Sequence, residues 1–157
     1  MPPKPLIAIE DLDLENVVFD KDAIRERNHQ RHEMEMLDRI IHYDSEEGLV
    51  AGLKYVREDE FWCRGHFPER PILPGVMMLE AAGQICSLVY TQETKGDAVI
   101  GFASADNVKF RGTVVPGDIL VIQGRMEEIR ARRAQFACQG YVGPKLVFEA
   151  RIVGMPI

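Results

Sequence analysis

The sequence predicts an α+β protein in which a curved antiparallel β-sheet wraps around one central buried helix, at about residues 76–92. Three observations predict it. The run Val76 to Tyr90 is apolar nearly all round, the pattern of a helix buried on every side rather than one lying on a surface. About six strand-like runs flank it, two before and four after, separated by polar or Pro/Gly turns. A chain of 157 residues suits one domain with a single core. A helix with no polar face is buried most simply when the sheet curls around it. Such a sheet keeps open edge strands, and pairing of two copies through an edge is the natural repair.

Taken in order, residues 1–19 form an irregular N-terminal extension, with Pro2, Pro3 and Pro5 followed by an acidic stretch; the single domain covers 20–157. Asp20 caps a short polar helix reaching about Asn28, because an aspartate accepts hydrogen bonds from the first free N–H groups of a helix. Strand-like runs at Met34 to Tyr43 and Leu49 to Val56 are joined by Asp44-Ser45-Glu46-Glu47-Gly48, a turn of hairpin length. Residues 57–75 form a loop, since Pro68, Pro71 and Pro74 deny the segment ladder hydrogen bonds. Pro74-Gly75 starts the central helix and Lys95-Gly96-Asp97 stops it. Four further strands follow at Ala98–Phe110, Asp118–Met126, Arg133–Val142 and Lys145–Val153. In the last, Phe148, Ala150 and Ile152 alternate with Glu149 and Arg151, as on a sheet with one face to the core and one to water.

Composition excludes several classes. The chain is 46% apolar and 28% charged, which argues against disorder and against collagen-like repeats. A net charge of −6 is unfavourable for a protein that neutralises nucleic-acid phosphates. The charge is uneven: residues 1–60 carry 8 basic and 16 acidic groups, whereas residues 61–157 carry 11 and 9. Cys63, Cys86 and Cys138 are odd in number and irregularly spaced, so neither a disulfide framework nor a zinc site is expected. The Val76 to Tyr90 run is too short and too polar to span a bilayer. With no signal-peptide pattern at the start, the expectation is a reduced, cytoplasmic protein.

The chemistry is concentrated between residues 65 and 84. His66 lies in the proline-braced loop, and His is the side chain best suited to move a proton near neutral pH. Glu80 falls one turn into the helix among Leu79, Ala81 and Ala82, where burial favours the protonated, acid form of a carboxyl group. Gly75 at the helix start offers an N–H with no intrahelical partner, at the positive end of the helix dipole. Such a donor stabilises an enolate oxygen. Base, acid and oxyanion donor are the three parts needed to remove a proton beside a carbonyl and expel a β-hydroxyl.

The string Gly65-His66-Phe67-Pro68, Pro71, Pro74-Gly75-Val76, Glu80-Ala81 and Gln84 closely resembles the (3R)-3-hydroxyacyl-acyl carrier protein dehydratases of bacterial fatty acid synthesis, which have the hotdog fold. Asp106-Asn107-Val108-Lys109-Phe110-Arg111 with Val114-Val115-Pro116-Gly117-Asp118 is a second match, and Leu37-Asp38-Arg39-Ile40 a weaker third. The resemblance implies a dehydratase without metal or other cofactor, active as a homodimer in which each site takes its His and its acid from different subunits. A trimer of dimers is left open. Carried over by position, His66 abstracts the α-proton, Glu80 of the partner chain protonates the departing hydroxyl, and the Gly75 N–H holds the thioester oxygen. A sister group that also isomerises the double bond has Asp at the acidic position, so Glu80 points to plain dehydration. The chain departs from the family pattern at Gln30-Arg31-His32-Glu33-Met34, where His-Arg-Tyr-Pro-Phe is usual, and at Glu69, where Gly is usual.

Acyl carrier protein is strongly acidic, and Lys109, Arg111, Arg130, Arg132 and Arg133 are the candidate docking residues, in a stretch (107–133) with a local charge of +3. His29, His32 and Glu33 resemble a metal cluster but read better as a solvated helix end. A thioesterase of the same fold and a non-catalytic acyl-binding subunit are the rival functions. The presence of both His66 and Glu80 disfavours the second.

Overall fold

The computed structural model describes residues 1–157. Six strands form one antiparallel sheet in the order β1-β2-β4-β5-β6-β3: β1 Arg39–Asp44, β2 Leu49–Tyr55, β3 Ile100–Phe110, β4 Ile119–Arg130, β5 Arg133–Val142 and β6 Lys145–Pro156. Two helices accompany it, the short α1 Lys21–Arg27 and the central α2 Gly75–Thr94. The predicted architecture is the one observed. The core lies between α2 and the concave sheet face, where Phe136, Phe148, Leu120 and Ile122 meet Ile85 and Leu88 of the helix, all essentially inaccessible to solvent.

Punctuation by single residues explains most boundaries. The Asp20 carboxylate accepts from the Ala23 N–H at 2.9 Å, capping α1, and Asn28 ends it. In the β1–β2 turn the Asp44 carboxylate accepts from the Glu46 and Glu47 N–H groups. Gly48 there adopts φ +67°, a conformation that only glycine reaches without cost. Lys95 closes α2 in the left-handed region, its N–H returning to the Thr91 carbonyl at 2.8 Å. Three strand limits differ from expectation by three residues or more. β1 begins at Arg39 rather than Met34, because residues 34–36 are bonded to a helix side chain instead of a neighbouring strand. β4 continues through a bulge at Met126/Glu128 to Arg130, and β6 continues to Pro156.

The helix and β3 run antiparallel. A Cβ built on Gly75 would sit 2.9 Å from the Phe110 ring, and one on Gly83 2.7 Å from the Phe102 ring. Further along, the Tyr90 hydroxyl donates to the Ala131 carbonyl at 2.6 Å, in the turn between β4 and β5. Gly75 and Tyr90 of α2 therefore mark opposite ends of the sheet, about 22 Å apart at 1.5 Å per residue. Strand β3 is an open edge, and Phe102 and Phe110 on it are 46% and 50% exposed.

The convex sheet face is not left to water. Residues 4–14 lie across it, with Ile7 buried against Ile41, Ala51, Leu53 and Val121. Gln123 and Gln139 are register partners on β4 and β5 and grip this segment with their carboxamides. Gln123 donates to the Ile7 carbonyl and accepts from the Ile7 N–H, both at 2.8 Å, while Gln139 bonds the Leu6 N–H and the Lys4 carbonyl. Arg39 adds a bond to the Leu14 carbonyl.

Candidate active site

The loop before α2 is fixed by its own backbone. Phe67 and Arg70 exchange N–H···O bonds at 3.0 Å, the Ile72 N–H returns to the His66 carbonyl at 2.8 Å, and the Leu73 N–H reaches the Val114 carbonyl at 2.8 Å. Proline at positions 68, 71 and 74 cannot compete for these acceptors, having no N–H to offer. His66 is half-buried, stacked on the Phe67 ring with centroids 4.2 Å apart. Its Nδ1 lies 2.7 Å from the Ile72 carbonyl oxygen. A carbonyl can only accept, so Nδ1 carries a proton, and in the neutral ring Nε2 is the nitrogen with a free lone pair. That tautomer is the one a general base needs.

Glu80 projects from the second turn of α2 beside a cavity of about 80 Å³, lined also by Gln30, Gly83, Cys86 and Phe102. Within one chain Glu80 is partly exposed rather than sealed among apolar neighbours, a correction to the sequence-based expectation. The reason is that its helical face looks past β3, the open edge, and not into the closed core. Gln84, one turn on and fully buried, donates from Nε2 to Glu80 Oε1 at 2.9 Å and to the Met34 carbonyl at 2.6 Å, and its Oε1 accepts from the Met36 N–H at 3.0 Å. The same side chain thus orients the acid and holds residues 34–36 out of the sheet. Gln84 was visible as part of a motif, but this linking role was not. Cys86 lies 3.7 Å from Cys138 in the core; burial pushes its thiol far up, leaving it a packing group and not a nucleophile.

Gly75 is the first residue of α2, following Pro74 at the cap position, and its N–H has no intrahelical acceptor. Phe110 covers its Cα closely enough that no side chain fits. Gly75→Ala is therefore expected to displace the Phe110 ring and the helix start, and to slow a reaction that uses the Gly75 N–H by up to about 100-fold, the scale of losing one oxyanion donor. Steady-state kinetics alongside a melting curve checks this, because an unaltered kcat would separate the helix start from the chemistry.

His66 and Glu80 do not meet within the chain. His66 bonds the Ile72 carbonyl, Glu80 bonds Gln84, and His66 is not part of the cavity that Glu80 lines. The five basic candidates are likewise divided. Lys109 and Arg111 share Glu149 at the Gly75 end of β3, at 3.7 and 2.9 Å. Arg130 and Arg133 share Glu128, with Arg132 exposed between them, at the far end of the helix. Sequence proximity suggested one patch; strand direction makes it two. No group of three or more His, Cys, Asp or Glu side chains is placed to hold a metal ion, and no helix is long and apolar enough to cross a membrane.

A single antiparallel sheet coiled about one long helix defines the hotdog-fold class, and here a histidine loop leads into that helix and an acid sits on its second turn. Solved structures of that shape include the dehydratase heterocomplex ApeI:P from Xenorhabdus doucetiae, with TM-score 0.70 and 15% identity over 85% of this chain and 90% of that one. A putative thioesterase from Ralstonia eutropha JMP134 gives TM-score 0.61 and 17% identity over 74% and 82%. At such identities the likeness is one of fold. Sequence goes further: the FabA-like domain model matches residues 28–151, and the chain belongs to that family. It is 36% identical over 125 residues to the 3-hydroxyacyl-acyl-carrier-protein dehydratase FabZ of Anaplasma marginale (strain Florida), covering 76% of this chain and 84% of that protein. It is also 34% identical over 139 residues to the bifunctional enzyme LpxC/FabZ of Chlorobaculum tepidum, of whose length it spans 30%.

Proposed function

We propose that this protein dehydrates (3R)-3-hydroxyacyl-acyl carrier protein to the trans-2-enoyl thioester and water, in cytoplasmic fatty acid synthesis. The observation that carries the reading is the His66 tautomer, with a free Nε2, on the same chain as a helix-borne acid held by Gln84. His66 Nε2 takes the α-proton, and the electron pair moves toward the thioester carbonyl, whose oxygen the Gly75 N–H supports. The C3–O bond then breaks as Glu80 delivers its proton to the hydroxyl, and water leaves. The separation of His66 from Glu80 within one chain supports a site shared between two copies, joined through the open β3 edge with its exposed Phe102 and Phe110. Lys109 and Arg111, at the Gly75 end, are the better placed of the basic residues to receive an acidic carrier protein; Arg130, Arg132 and Arg133 lie away from it.

Purified protein given a (3R)-3-hydroxyacyl thioester is expected to generate enoyl absorbance with the thioester intact. Release of a free thiol instead would make it a thioesterase, and no change in either signal would leave only a binding role.

A further inference from the structure

We infer that Gln30 is a substrate-contacting residue, whose carboxamide oxygen accepts a hydrogen bond from the 3-hydroxyl as Glu80 protonates it; this rests on the dehydratase reading above. Gln30 lines the cavity beside Glu80. Its Oε1 is buried and has no hydrogen-bond partner. A buried carbonyl oxygen left unpaired costs free energy comparable to a lost hydrogen bond, and in a native structure it calls for a physical reason. Asn28, two residues earlier, has an unpaired Oδ1 as well, although its Nδ2 donates to the Gln84 carbonyl at 2.9 Å. One short segment thus carries two carbonyl oxygens without donors, that of Gln30 at the cavity beside Glu80 and that of Asn28 one turn further along α2, at Gln84.

The neighbouring carboxamide is already committed and does not line the cavity. Gln84 already uses Nε2 twice and Oε1 once. Among the carboxamides at this cavity, Gln30 is the one with an oxygen to offer. What the site lacks is a donor, and the reaction brings one: the substrate presents a single O–H, and the product water presents two. A volume of about 80 Å³ holds a few water-sized groups and suits the hydroxyl end of the substrate rather than its acyl tail. No proton passes through Gln30. The α-proton goes to the base, the new double bond takes the C–H pair, the C–O pair stays on oxygen, and the acid's proton completes the water. By accepting the hydroxyl hydrogen, Gln30 turns an oxygen lone pair toward Glu80. As that oxygen gains a proton it becomes a stronger donor, so the bond strengthens in the transition state, and an interaction of that kind raises kcat more than it lowers KM.

The test is Gln30→Leu, which keeps the bulk and removes the acceptor. The expected result is a fall in kcat of about 10- to 100-fold with KM raised by a smaller factor and the pH profile kept, since both proton-transfer groups remain. Competition adds a readout that packing alone would not move: the wild type binds a 3-hydroxyacyl thioester in preference to its saturated analogue, and the variant loses that preference. Gln30→Met, unbranched and of similar volume, is the second variant, and the comparison is made on whichever melts like the wild type. Wild-type kcat and wild-type discrimination in such a variant would overturn the role of Gln30 while leaving the dehydratase reading in place. An inactive wild type would overturn the dehydratase reading itself.

Discussion

His66→Ala and Glu80→Gln are each expected to lower dehydration by about 100- to 10,000-fold, the range contributed by a positioned general acid or base, with no large change in melting temperature. Both side chains sit at the border of the fold and not in its core, so removing them creates no sealed cavity. The two variants also distinguish a shared site from a site within one chain. In a dimer that draws its base from one copy and its acid from the other, a mixed dimer of the two variants combines both lesions in one site and restores the other site completely. Equal amounts, unfolded and refolded together, should recover about a quarter of wild-type activity, because half of the dimers are mixed and each has one working site. A site contained in one chain would recover nothing. Recovery by mixing, combined with loss in each variant alone, would tie His66 and Glu80 to the same reaction from opposite subunits.

The parts of the fold legible in the sequence were those set by local chemistry. Asp20 as a cap, the polar turn ending in Gly48, and the Pro74-Gly75 and Lys95 limits of α2 depend on a few neighbouring atoms, and the structure has them where the sequence put them. The errors arise where a distant group decides. Met34 to Asp38 has a strand-like pattern, yet Gln84, 48 residues or more away along the chain, claims the Met34 carbonyl and the Met36 N–H. The β4 pattern breaks after Met126 because a bulge shifts its register against β5, and alternation cannot be followed through a bulge.

The site shows the same division. His66, Gly75 and Glu80 could be singled out because each sits at a position with a local meaning: a braced loop, a helix start, a helix turn. The geometry around them could not. The Nδ1 partner of His66, the Phe110 ring over Gly75 and the unpaired oxygen of Gln30 all come from folding. Charge was misleading in one respect. Lys109 to Arg133 looks like one basic stretch, but the strands carry its two parts to opposite ends of the sheet.

Gln123→Leu is expected to destabilise the protein by about 2–6 kcal/mol, and it touches the least legible part of the chain. In sequence Gln123 is one polar residue within the strand-like run Asp118–Met126, with no local feature that marks it. In the structure it is completely buried beneath residues 4–14, bonded to both backbone groups of Ile7. Leucine there leaves a buried N–H and a buried carbonyl unpaired, at about 1–3 kcal/mol each. For a domain of this size that corresponds to a fall in melting temperature of roughly 4–24 °C. The penalty belongs to the docked segment and not to position 123 itself. In a chain lacking residues 1–14 the same substitution lies on an open sheet face, where an exposed change is worth within about 0.5 kcal/mol. The difference between the two backgrounds is a coupling energy, which a double-mutant cycle measures directly. Equal effects with and without the segment would mean that it does not rest on Gln123 in solution. Dehydration should survive both changes, because Gln123 and its partners lie on the sheet face opposite α2, away from His66 and Glu80.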